Sequence, residues 1–175
     1  MKELVRKVLR WLMTPVRRNY RQRNGVKSEG ERREIPNRIL LGMARDMIRE
    51  GHTATIAVKG YSMRPFLEHE RDRVILDAPT DLKVGDAVLA EITPDHYVLH
   101  RIIAIEGEQV TLMGDGNVRG TESCRLSDVA GIVTHYLRPG RTLLASDPTL
   151  QRRIRLWRRL LPIRRYLLFV YKAIV

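Results

Sequence analysis

Between Thr53 and Leu137 the chain alternates apolar and polar side chains with a period of two, and Gly, Pro or Asp interrupts the alternation every few residues. An extended backbone points successive side chains to opposite faces, so this is the signature of strands that bury one face and wet the other. The alternation predicts strands at 53–59, 72–77, 86–92, 97–105, 108–113 and 128–137, with a hairpin turning at Glu106-Gly107. Just upstream, NRILLGMARDMIREG switches to a helical period, with Ile39, Leu40, Met43, Met47 and Ile48 as its apolar stripe. Asn37 suits the N-cap and Gly51 the stop, which predicts a helix over 37–50. With 43% apolar residues a packed core is affordable, and packing alone must hold it. The single Cys124 cannot form an internal disulfide, and no spaced Cys/His set offers a zinc site. No metal or cofactor is expected.

Charge divides the chain into three parts. Residues 51–135 carry 8 Lys and Arg against 13 Asp and Glu, whereas residues 1–50 carry 14 against 6 and residues 136–175 carry 10 against 1. The net +12 therefore resides in the two ends. At the N-terminus, Leu4, Val5, Val8, Leu9 and Leu12 recur at helical spacing with Lys2, Arg6, Lys7 and Arg10 mostly opposite, which predicts a basic amphipathic helix over 1–18. Residues 19–36 are polar and nearly devoid of apolar side chains, as in a flexible linker. The region 141–175 is read as basic, Trp- and Leu-rich helices, with Ile154, Leu156, Trp157, Leu160 and Leu161 set among arginines before Pro162. The apolar run 166–175 is about half the roughly 20 residues a spanning helix needs. Arginine-rich helices carrying Trp and Leu suit the headgroups of an anionic membrane, so peripheral membrane contact is expected through residues 1–18 and 152–175. The competing reading is that these helices pack on the domain with their arginines solvated. Phosphate backbones would attract the same charge, but no base-reading motif supports a nucleic-acid partner.

The stretch GYSMRP, residues 60–65, ends the first predicted strand and holds Ser62 between Gly60 and Pro65. A small hydroxyl at a strand end is a place to build a nucleophile, and equally a place to build a turn. A serine needs a base. The alternation of strand 97–105 sets Val98, His100, Ile102 and Ala104 on one face, so His100 sits among apolar neighbours where a neutral imidazole can accept a proton. The next strand runs into MGDGN, where Asp115 stands at a tight turn and would orient the imidazole. His96 shares the strand face of His100 and is its rival, and His69 and His135 are further options. Lys59 precedes the turn and should point away from Ser62, while Lys83 lies in a loop where solvent keeps it protonated. Met63 and Phe66 are read as core packing.

GYSMRPFL, followed by VGDAVLAEI and then YVLHRIIAIEGEQVTLMGDGN, resembles the serine peptidase superfamily that includes signal peptidase I and the self-cleaving LexA-type repressors. The resemblance spans residues 53–137, about half the chain. It implies a mainly β, LexA/signal-peptidase-like catalytic domain over 37–140, flanked by basic amphipathic α-helices. It also implies that Ser62 attacks a peptide carbonyl, with its backbone N–H contributing to an oxyanion hole. Most bacterial members place a lysine where this chain has His100. In that respect, and in Gly-Asp-x-Asn at 114–117, the chain is similar to the endoplasmic-reticulum type of signal peptidase, in which a Ser-His-Asp arrangement operates. The implied site is Ser62, His100 and Asp115, with Glu122 and Asp128 as reserve acids.

The expected activity is a serine endopeptidase acting by acyl transfer on a protein or peptide substrate bound as an added strand. Peptidases of this type carry an N-terminal spanning helix that this sequence does not show, so the expected location is the cytoplasm or the inner membrane surface. Two other readings stand beside it: an inactive scaffold or adaptor that uses the basic ends to bind membrane or a protein partner, and a self-cleaving LexA-like regulator. Against the regulator, residues 1–50 show no helix-turn-helix pair, and no Ala-Gly or Cys-Gly dipeptide precedes Ser62.

Overall fold

All six strands read from the alternation are present in the computed structural model, which describes Lys7 and residues 37–173. Apart from Lys7, the helix expected over 1–18 and the linker over 19–36 lie outside the described residues. Helix α1 (Asn37–Arg49) leads into strands β1 (Ala54–Ala57), β2 (Arg73–Asp77), β3 (Ala87–Thr93), β4 (His96–Glu106) and β5 (Gln109–Met113). Then come β6 (Glu122–Arg125), β7 (Val129–Arg138) and β8 (Arg141–Leu144), followed by helices α2 (Pro148–Arg159) and α3 (Arg164–Lys172). The strands form one antiparallel sheet in the order β1-β2-β7-β3-β4-β5-β6, with β8 also pairing with β7. The protein is mainly β with a few helices.

Strands β6 and β8 were not anticipated, and the region 141–175 accordingly begins with a strand rather than a helix. Each has four residues and buries only one of them, Cys124 in β6 and Leu143 in β8, so neither is long enough to display a period.

The sheet is buried on both sides. Ala87 and Leu89 of β3 join a large core with Ile56, Leu76, Tyr136 and the helices, while Val88 and Ala90 join a smaller one with Ile102, Val110, Leu112, Cys124 and Val129. That is why four successive residues of β3 are all buried. Helix α1 lies against the large core through Leu41, Ala44 and Ile48, and Ile39, Met43 and Met47 of the expected stripe are exposed. The apolar residues of this helix form more than one stripe, and the sheet selects among them. Gly131 of β7 makes room for Ile48, whose Cδ1 would stand 2.7 Å from any Cβ placed there.

Helix α2 begins where Asp147 accepts hydrogen bonds from the Thr149 and Leu150 N–H groups (2.8 and 3.1 Å), with Pro148 opening the first turn. Leu150, Ile154 and Trp157 of α2 and Leu167 and Tyr171 of α3 are buried in the large core. The buried stripe of the C-terminal helices thus packs on the sheet, leaving Leu161, Ile163, Tyr166 and Phe169 exposed beside Arg155, Arg159 and Arg165. Among the described residues no helix is long and apolar enough to cross a membrane.

Candidate active site

The GYSMRP segment folds as a tight turn clamped at both ends. Gly60 adopts φ +87°, a conformation that residues with a Cβ rarely take, and its N–H donates to His69 Nδ1 at 3.0 Å. Beyond Ser62, Met63, Phe66 and Leu67 are all buried and anchor the turn in the large core. The N–H groups of Phe66 and Leu67 donate back to the Met63 carbonyl at 3.1 and 3.0 Å. Arg64 stacks on the Tyr61 ring at 4.1 Å and pairs with Glu68 at 2.8 Å. Glu68 in turn accepts a hydrogen bond from the Tyr171 hydroxyl of α3. Half-buried Ser62 is left at the rim with its neighbours fixed.

The Gly-Asp-Gly-Asn segment packs directly onto this turn. Gly116 N–H donates to the Ser62 carbonyl at 2.6 Å. A Cβ at Gly114 would lie 2.5 Å from the Ser62 carbonyl oxygen, and one at Gly116 would lie 2.6 Å from that of Tyr61. Both glycines are therefore required by close approach of two backbones rather than by hairpin geometry, a role the sequence reading did not assign them.

Asp115 does not orient His100, which corrects the expectation. Its carboxylate is taken by Arg101, through Nε at 2.8 and 3.1 Å and through a second guanidinium nitrogen, with both side chains almost wholly excluded from water. Arg101 also donates to the Gly85 carbonyl at 2.7 Å and lies over the Phe66 ring. Burial works against its charge, but attraction to Asp115 outweighs that and holds the guanidinium above its ordinary range. The Asp115 carbonyl accepts from Trp157 Nε1 at 2.8 Å, and that of Asn117 from Arg164 at 2.9 Å. Asp115 therefore locks the loop that seats the Ser62 turn.

The carboxylate beside His100 is Glu122. Its Oε2 stands 2.9 Å from His100 Nδ1, with the imidazole only 8% and the carboxylate 30% exposed. Because an ionised carboxylate only accepts, Nδ1 carries the hydrogen in this pair, and in the neutral form of the ring Nε2 would present its lone pair. Glu122 comes from β6, whose Cα partner at this position is Leu112 on β5, itself paired with Ile102 on β4. The carboxylate thus reaches His100 across the middle strand, a relation that spacing along the chain does not reveal.

Ser62 and His100 line one small cavity of about 160 Å³, walled by Leu41 of α1, Ile56 of β1 and the adjacent Val58, and Leu89 and Leu99 of the hairpin β3–β4. The rival bases fare differently. His96 is exposed at the start of β4, His69 accepts the Gly60 N–H, and His135 lies 3.0 Å from the Thr134 hydroxyl. Lys59 is exposed and is among the residues that line the cavity. Lys83 is exposed in its loop, and Asp128 accepts the Arg125 N–H at 2.9 Å in a turn after β6. Among the described residues no group of His, Cys, Asp and Glu side chains is placed to hold a metal ion. Comparison with protein-family models, with curated proteins and with solved structures finds no match to this chain.

Proposed function

We propose that this protein is a serine endopeptidase of the signal peptidase/LexA-like kind, in which Ser62 is the nucleophile, His100 the general base and Glu122 the orienting acid. The observation that carries the reading is the cavity shared by Ser62 and a buried His100 whose Nδ1 is occupied by Glu122. Ser62 Oγ attacks a peptide carbonyl and its proton passes to His100 Nε2. The imidazolium so formed is stabilised by Glu122, then returns the proton to the leaving amine as the C–N bond breaks. Water, deprotonated by the same imidazole, releases the acyl group and restores the serine. The Ser62 backbone N–H is the proposed oxyanion donor, on a turn held rigid by Gly116 and by the buried side chains that follow. Work at an anionic membrane surface is part of the proposal, through exposed Leu161, Ile163 and Tyr166 with Arg155 and Arg159.

The test is covalent labelling of the full chain with a fluorophosphonate, read by intact mass and peptide mapping. One adduct on Ser62, absent in Ser62→Ala, is the expected result. A folded wild-type chain that takes no label, or a label that persists in Ser62→Ala, overturns the assignment.

A further inference from the structure

Ser62 also borders a second, larger hollow, a cleft of about 480 Å³ between the Tyr61–Arg64 turn, the segment 116–118 and helix α3. Helix α3 presents two stripes. Arg164, Leu167 and Tyr171 are buried against the protein, while Arg165, Leu168, Phe169 and Lys172, at i, i+3, i+4 and i+7, line the cleft, with Tyr171 at its inner wall. Among the described residues no Asp or Glu side chain lines this cleft. Of the three cations among its described lining residues, Arg64 is neutralised by Glu68. Arg165 and Lys172 are exposed and, among the described residues, pair with no carboxylate. Phe169 is 76% exposed at the rim of the same cleft.

We infer that this cleft, which adjoins Ser62 as the His100 cavity does, is a substrate subsite which selects a peptide segment bearing an aromatic or aliphatic residue next to carboxylates. The inference rests on the peptidase reading and adds its specificity. A peptide crossing Ser62 enters the His100 cavity at one end, where the walls are mostly aliphatic, and the cationic cleft at the other. There Phe169 and Leu168 receive the apolar side chain, and Arg165 and Lys172 draw the acidic one. The chain's own N-terminal region is a poor occupant, because residues 1–50 are strongly basic themselves. Arg165 and Lys172 are thus specificity-determining rather than catalytic.

The experiment separates binding from chemistry. Fluorescein-labelled hexapeptides, Ala-Ala-Ala-Phe-Glu-Glu and Ala-Ala-Ala-Phe-Lys-Lys, are titrated by anisotropy against the full chain carrying Ser62→Ala. The acidic peptide is expected to bind about threefold to tenfold more tightly, as two solvent-exposed charge pairs allow, and less so at high salt. Adding Arg165→Glu and Lys172→Glu should abolish or reverse that order. Arg152→Glu with Arg155→Glu, the same charge change on the exposed face of α2, should leave it standing. Equal binding of the two peptides, or a preference untouched by the α3 pair or lost equally with the α2 pair, overturns the subsite. The wild-type chain is labelled with fluorophosphonate in parallel. Labelling without a charge preference leaves the peptidase and removes the subsite, while preference without labelling leaves a peptide-binding cleft and removes the peptidase.

Discussion

His100 and Arg101 are consecutive residues of one strand, each holds a carboxylate, and the two pairs serve opposite ends. Arg101 points into the large core, where Asp115 meets it with both partners about 2% exposed and with Gly85 and Phe66 completing the shell. His100 meets Glu122, which is 30% exposed, and one ring nitrogen is left over. A saturated ion pair shut away from water can only hold things in place, because separating it leaves a charge in a medium that cannot solvate it. A carboxylate–imidazole pair with one open nitrogen and some contact with water can take up a proton and release it. Adjacent positions on a strand thus become a clamp and a candidate base solely through the neighbours each one meets.

Breaking the clamp is expected to have the largest effect. Asp115→Ala strands the Arg101 guanidinium and should cost about 3–5 kcal/mol of stability, measured as a shift of the urea midpoint. If the midpoint hardly moves, the clamp is misread. At His100 the order of effects inverts. His100→Ala should slow fluorophosphonate labelling of Ser62 by about 10²-fold or more, and Glu122→Gln by about tenfold, with the urea midpoint little changed by the latter. Labelling that survives His100→Ala would remove the base, whereas a stronger loss in Asp115→Asn than in Glu122→Gln would restore the arrangement expected from sequence.

The smallest effect concerns the strut from α3. Burial, reinforced by the hydrogen bond to Glu68, pushes the Tyr171 phenol above its ordinary range. The folded chain therefore keeps that proton at a pH where the unfolded chain loses it. Its contribution should be complete below about pH 10 and fall away as pH rises beyond. Tyr171→Phe should cost about 1 kcal/mol at neutral pH and flatten the alkaline decline, as read by urea titrations at a series of pH values.

Legibility in the sequence followed the range of the interactions concerned. Strands with a two-residue period were readable because each residue reports its own face, and the serine turn was readable because Gly60 and Pro65 punctuate it. The partner of His100 was not. Asp115 and Glu122 both follow the histidine at plausible distances, and choosing between them requires knowing that Arg101 claims the first while β6 folds back across β5 to bring the second. The same holds for the stripe of α1 that is buried and for the helices after Asp147, whose buried side is known only once Trp157 is found under the Asp115 loop.

By itself, then, the amino-acid order determined where the backbone extends, where it turns and where charge accumulates, since propensity and periodicity act between near neighbours. Only the tertiary structure decided which acid meets which base, why Gly114 and Gly116 have no side chain, and that α3 forms one wall of a cleft at Ser62. Those outcomes depend on groups far apart in the chain competing for the same buried space and the same charges, and that competition is settled only when the sheet closes around them.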